Sequence, residues 1–220
     1  MHALQKPIQP RHMKPRMSPE GENEQVRAAE AGVRCLLHLI GENTEREGLK
    51  DTPARFVKAF REMTAGLHVD PKRHLEKRFA LDDAEESIRY DGVVLSGWLP
   101  FVSLCEHHLL PFTGEAHIAY LPAGKERTVV GLSKLARLLE DYARRPQIQE
   151  RLTQQVADAI ETVLRPEGVG VVLRGKHSCQ WCRGVKKPGS MLTSSLHGSF
   201  KTPAGRMELF ELIKLAKGGE

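Results

Sequence analysis

Cys105-Glu106-His107-His108 places a thiol, a carboxylate and two imidazoles in four consecutive residues. Cys105 and His108 are three apart, so a tight turn can aim sulfur and imidazole at a single ion. A second cluster, His177-Ser178-Cys179-Gln180-Trp181-Cys182, follows beyond a helical stretch. Thiolate and imidazole together select zinc among the abundant ions. Three readings stand side by side. A closed structural site would use Cys105, His108, Cys179 and Cys182. An open site would use Cys105, His108 and one distant cysteine, leaving a position for water, as catalysis requires. The plain alternative is buried cysteines and surface histidines with no metal at all.

Two features favour the open site. His107 and His177 each neighbour a candidate ligand; a structural site has no use for spare imidazoles, whereas hydrolysis uses them as proton carriers near neutral pH. Between the two clusters lie Ser133, Lys134, Arg137, Gln149 and Glu150, and Arg183 follows the second. Lys134 and Arg137 share a helix face at i, i+3. Ser133 is expected to cap that helix, whose N-terminus favours anions. Gln149-Glu150 is expected one turn into the next helix. A charge on a helix is ordinarily just solvated; it is the company of the metal motif that lifts these residues.

The elements that must position this chemistry are legible in outline. Residues 22–40 carry Val26, Ala29, Val33, Leu36, Leu37 and Ile40 at helical spacing, with Gly41 as the stop. Thr52-Pro53 opens a helix with Phe56, Ala59, Phe60 and Met63 expected inward. Residues 67–86 give no clear pattern. Val93 to Leu95 and Phe101 to Cys105 read as separate extended pieces, and Ala116, Ile118 and Tyr120 alternate as in a strand. Residues 133–164 read as helical, with Pro146 restarting a helix after an interruption. Val169 to Leu173 and Leu192 to Phe200 read as antiparallel neighbours, and Thr202-Pro203 opens a last helix. Long helices between paired strands indicate an α+β domain. The division expected is a disordered basic arm over 1–20, a helical segment over 21–66 and a catalytic domain over 67–220.

The 220 residues, 40% of them hydrophobic, suffice for one domain with appendages. No apolar run approaches the ~20 residues of a membrane span. The charge is +5, and four of the cations, Lys6, Arg11, Lys14 and Arg16, sit in the arm, leaving the rest near neutral. With 5% aromatics and no basic–aromatic alternation, nucleic acid is not the expected partner. No export signal is apparent, so a cytoplasmic setting with reduced thiols is expected.

Longer motifs carry a family resemblance. Gly48-Leu49, Thr52-Pro53-Ala54-Arg55, Cys105 through Phe112, Gly114, His117-Ile118, Gly131 through Arg137, Arg145 through Thr153, His177-Ser178-Cys179, Arg183-Gly184-Val185, Thr193-Ser194 and Gly198-Ser199-Phe200 stand in the order found in the GTP cyclohydrolase I family, which the chain resembles from about Gly48 to Phe210. The resemblance implies the tunnelling fold, an antiparallel β-sheet backed by helices, assembled into a toroidal homodecamer with active sites at subunit interfaces. It implies one zinc per subunit on Cys105, His108 and Cys179, with His107, His177 and Ser133 catalytic. Lys134, Arg137 and Arg183 would hold the triphosphate, with Arg55 and Lys58 reaching in from a neighbouring subunit, and Gln149 and Glu150 would read guanine. The implied reaction opens guanine's imidazole ring, releases formate and rearranges the ribose, giving 7,8-dihydroneopterin triphosphate for pterin or folate-type biosynthesis.

Three places depart from the family pattern: Cys182 completes a Cys-x-x-Cys with Cys179, the stretch from Lys186 to Leu192 is one residue short, and Gly97-Trp98-Leu99-Pro100 is unfamiliar. Two rival functions follow. One is a zinc-stapled binding or regulatory scaffold without activity, against which the retained His107, His177 and Glu150 speak. The other is a purine-nucleotide hydrolase that stops at a ring-opened intermediate.

Overall fold

The computed structural model describes residues 18–80, 90–123 and 128–216. They fall into two compact units that meet in sequence at Glu62 and Met63. The arm expected over residues 1–20 lies, through residue 17, outside the described residues.

In the first unit, α1 (Pro19–Leu39) starts before residue 21 because Ser18 caps it: its hydroxyl accepts from the Gly21 amide at 3.2 Å, and proline occupies the first turn. Not one residue of α1 is buried, and Leu36, Leu39 and Ile40 stand exposed. Gly41, at φ 79°, takes the left-handed conformation that ends the helix. α2 (Thr52–Met63) begins at the expected Thr-Pro, but its buried residues are Pro53 and Val57; Phe56 and Ala59, expected inward, are exposed. Phe56 stacks on the half-buried Phe60 with ring centroids 6.2 Å apart.

In the second unit, the elements run β1 (Arg78–Ala80), β2 (Val94–Cys105), β3 (Pro111–Leu121), β4 (Thr128–Val130), α3 (Leu132–Ala143), β5 (Pro146–Gln147), α4 (Gln149–Leu164), β6 (Gly168–His177), α5 (Ser178–Trp181), β7 (Met191–Gly198) and α6 (Pro203–Leu215). The main sheet has the order β5-β2-β3-β6-β7, antiparallel except for the short β5–β2 pairing, and β1 pairs with β4 apart from it. The unit is therefore α+β with an antiparallel-rich sheet, as the sequence indicates. No helix among the described residues is long and apolar enough to cross a membrane.

Helices α3 and α4 lay Leu135, Leu138, Leu139, Leu152, Val156 and Ile160 on one sheet face, against Phe101, Phe112, Ala116, Ile118, Tyr120 and Leu173. On the opposite face α6 sets Leu209 against Ala119 and Phe200. Residues 116–120 are consequently buried on both faces.

Three local readings are corrected. Val94–Leu95 and Phe101–Cys105 are parts of one twelve-residue strand, just after Val93, whose register slips by one residue between Ser96 and Leu99; Trp98, at φ 55°, lies in that irregularity. Pro146 does not restart a helix: it pairs with Leu104 as part of β5, and α4 begins at Gln149 after Ile148. The unpatterned region from residue 67 holds a tight turn at Pro71–Leu75, which buries Leu75 in the core and ties Arg73 and His74 to Asp141 of α3 at 3.2 and 2.8 Å. Residues 81–86 of that stretch lie outside the described residues.

Candidate metal centre and active site

The turn joining β2 to β3 closes through hydrogen bonds from the Cys105 amide to Leu110 O at 2.9 Å and from the Leu109 amide to Cys105 O at 2.8 Å. This winding brings Cys105 Sγ to 3.7 Å from His108 Nδ1. Cys179 arrives from α5, which continues β6, the neighbour of β3. Its sulfur joins the other two so that all three donor atoms lie within 4.8 Å of one another. Tetrahedral zinc with Zn–S of about 2.3 Å and Zn–N of about 2.05 Å spans an S···N edge of about 3.6 Å, so the 3.7 Å separation suits that ion. Cys182 is exposed and outside this group. A three-donor set leaves room for a non-protein ligand, and the structure does not bring together the four residues of the closed reading.

The electrostatics suit a ligand set. Partial desolvation, then the charges of Arg183 and His107, push the His108 pKa down, favouring the neutral imidazole that a metal needs. Arg183 reaches back to lie against His108 Nε2. Burial, then the hydrogen bond with Cys105, raises the Cys179 thiol, while Arg183 opposes the rise. A bound cation would reverse that balance by favouring thiolate.

His177 ends β6 directly opposite Phe112 of β3. Its ring stacks on Phe112 with centroids 4.4 Å apart and planes within 6°. Its Nε2 meets Gln149 Oε1 at 3.0 Å. Gln149 is 1% exposed, and its amide nitrogen donates towards Leu173 O, Met191 O and Thr193 Oγ1 at 3.0–3.1 Å. Carbonyls only accept, so the amide orientation is fixed and Oε1 must be the acceptor facing His177. His177 therefore carries hydrogen on Nε2, leaving Nδ1 as the nitrogen that exchanges a proton. Burial lowers its pKa, against a smaller upward pull from Glu150, so the ring is neutral at neutral pH. Gly175 allows this approach, since a Cβ there would collide with Gln149 Oε1.

The other expected residues are placed more openly. His107 is exposed, 4.0 Å from Glu106 Oε1 and edge-on to His108. Glu106 pairs with Arg151 of α4, which also donates to Gln147 Oε1 at 3.0 Å, so turn, β5 and helix are stitched together. Ser133 does not cap α3: the cap position is Gly131, without a side-chain bond, and Ser133 lies exposed in the first turn with Lys134 beside it. Arg137 and Glu150 are exposed. Gln149 opens α4 rather than sitting a turn inside it, and its buried amide is committed to the protein. In the first unit Arg55 is exposed and paired with Asp51 at 2.9 Å, and Lys58 is exposed. Sequence reasoning missed Phe112 as the platform for His177 and the Glu106–Arg151–Gln147 link. Both depend on strand register, which local spacing does not carry.

The chain is similar to known proteins over most of its length. The family model described as GTP cyclohydrolase I matches residues 29–214. A protein of Rhodopirellula baltica named GTP cyclohydrolase 1 is 54% identical over 189 residues, covering 85% of this chain and 78% of its own. Its namesake from Pelotomaculum thermopropionicum is 51% identical, covering 84% and 95%, and that from Mycobacterium avium is 49% identical, covering 89% and 96%. The match spans both metal-donor clusters and the helices between them, and on that breadth the chain belongs to the GTP cyclohydrolase I family.

Proposed function

We propose that this protein is a zinc-dependent GTP cyclohydrolase I, converting GTP to 7,8-dihydroneopterin triphosphate and formate at the head of pterin or folate-type biosynthesis. The observation that carries the reading is the convergence of Cys105, His108 and Cys179 donors within 4.8 Å in a chain of this family. Those residues would hold one zinc per subunit, which when bound acts as a Lewis acid and lowers the pKa of water towards ~7.

The chain's own residues supply the rest. Guanine presents two adjacent N–H donors, and the exposed Glu150 carboxylate accepts from both. His177, held through Nε2 by Gln149, moves protons at Nδ1 to and from the purine's imidazole nitrogen. Gln149 thus acts through His177 rather than by reading the base, which revises the role expected from sequence. His107 and Ser133, both exposed, serve as proton shuttles during opening and reclosure of the ribose. Lys134, Arg137 and Arg183 bind the triphosphate, helped by the first turn of α3, whose amides have no side-chain cap. The triphosphate is not cleaved, so this clamp only positions the substrate.

The same reading takes the unit as a tunnelling fold closing into a toroidal homodecamer in the cytoplasm, with Arg55 and Lys58 entering from a neighbouring copy. The exposed apolar face of α1 and the outer edge of β7 support association. Incubating purified protein with GTP, while following formate and the pterin chromophore, tests the function. Formate without pterin would instead indicate a ring-opening hydrolase, and neither product would indicate an inactive scaffold.

A further inference from the structure

Cys182 has no place in the donor group, yet the fold sets it beside one of its members. Residues Ser178–Trp181 form a single helical turn that Cys182 extends: its amide donates to Ser178 O at 2.9 Å, and its φ −80°, ψ −18° are right-handed helical. Cys179 and Cys182 are thus i and i+3 on one turn. With a rise of 1.5 Å per residue, 100° of rotation per residue and a Cα radius of 2.3 Å, their Cα atoms lie about 5 Å apart. Disulfides bridge Cα separations of about 4.4–6.8 Å. Cys182 is exposed while Cys179 is only partly so, so the two thiols differ in reach. No residue from Gln180 to Leu192 is buried, and the chain between Cys182 and β7 has no regular structure beyond turns, so packing does not oppose a small shift. That stretch carries Arg183, Lys186 and Lys187, all exposed, which favour an anionic partner.

We propose that Cys182 is a thiol–disulfide exchange site that captures the candidate metal ligand Cys179, so that an anionic low-molecular-weight disulfide of the glutathione type switches the centre off. The proposal rests on Cys179 being a metal ligand. The Cys182 thiolate attacks one sulfur of R–S–S–R, breaking that bond, and RS⁻ leaves. The Cys179 thiolate then attacks the sulfur of Cys182 in the mixed disulfide, and the second RS⁻ leaves. The protein loses two electrons, the small disulfide gains them, and with two protons it becomes two thiols. Cys179 no longer has a thiolate to offer a metal, so two protein donors remain and the ion is released.

The test uses the full-length protein purified with zinc under reducing conditions, then exposed to oxidised glutathione. Zinc release is followed with a chromogenic chelator, and the disulfide is located by peptide mass. The expected result is one zinc lost per chain in step with a Cys179–Cys182 bond, reversed by dithiothreitol plus zinc. Cys182→Ser should keep its zinc and turnover beforehand and release zinc at least about tenfold more slowly, having lost the resolving thiol. Cys35→Ser, which removes the exposed cysteine of the first unit, should behave as wild type. Zinc release from Cys182→Ser at the wild-type rate would overturn the proposal, as would a mapped bond between Cys105 and Cys179. Cys182→Ser purified without zinc would also overturn it, by making Cys182 a fourth ligand. Wild-type protein that never holds zinc would refute the metal reading itself, and peptide mapping would still decide whether the two thiols of the turn pair.

Discussion

The two histidines proposed to move protons live in opposite surroundings. His177 is stacked on Phe112, bonded through Nε2 and lowered in pKa by burial, all through contacts made within the chain. His107 sits in the β2–β3 turn with 65% of its side chain exposed, beside the carboxylate of Glu106 and the edge of His108. One imidazole is preorganised at a strand end; the other is largely open to solvent. Preorganisation of the first shifts cost into folding, whereas the second leaves folding untouched.

That contrast can be broken or sharpened by substitution. The largest effect is expected from Cys179→Ser, which removes a donor both histidines depend on: metal content by atomic spectroscopy should fall to a small fraction of one per chain, with formate release at background. Next comes His177→Ala, which should keep its zinc but lose about 10²–10⁴-fold in turnover. A loss of only a few-fold would remove His177 from the mechanism. Gln149→Ala should lower kcat by about 10–100-fold, as loss of an orienting partner does, with the KM for GTP little changed. A large rise in KM with kcat preserved would restore Gln149 to base reading.

Stability separates the two histidines in a further way. His107→Ala should shift unfolding by less than about 0.5 kcal/mol, as exposed sites do, while His177→Ala should cost roughly 1–3 kcal/mol by stranding the Gln149 carbonyl. Equal denaturation midpoints would erase the distinction. The smallest effect concerns pH. His177 and the buried His117, whose Nδ1 has no hydrogen-bond partner among the described residues, both have pKa values lowered chiefly by burial. Between the folded values and the unfolded one near 6.5 the unfolded chain binds more protons, so their stabilising effect is complete above about pH 6.5 and lost as pH falls towards the folded values. Urea midpoints should therefore drop between pH 7.5 and 5.5, and less steeply in His117→Gln. An unchanged slope in that variant would clear His117.

How much of this was legible depends on how local each signal is. Cys105 with His108, and Cys179 within its cluster, are short-range patterns and read directly from the chain. The α+β class, the pairing of β6 with β7 and the start of α6 at Thr202-Pro203 also follow from periodicity and capping chemistry. The Gln149–His177 bond does not, because it requires knowing that α4 begins at Gln149 and that its first side chain faces the last residue of β6. Ser133 looked like a cap because serine commonly is one, but the chain enters α3 two residues earlier than that reading needs, with Gly131 in the cap position. Pro146 looked like a helix start for a similar reason; what overrides local preference is the ladder with Leu104.

That ladder also bears on how the protein reaches its native state. The candidate metal donors come from the hairpin turn after β2 and from α5, just past the end of β6, with α3 and α4 intervening in the chain. Cys105 faces Gln147 across the β2–β5 pairing, and the Glu106 amide donates to Gln147 O at 3.0 Å, so the turn is fixed only when the chain has returned through α3. Contacts of such wide sequence separation form slowly because loop closure must precede their reward. The candidate donors cannot converge before the β3–β6 register is set, so capture of a metal by all three is expected late in folding. Stopped-flow refolding with a zinc-sensitive dye should show uptake trailing the gain of β-sheet signal, which makes the ion a natural clock for completion of the sheet.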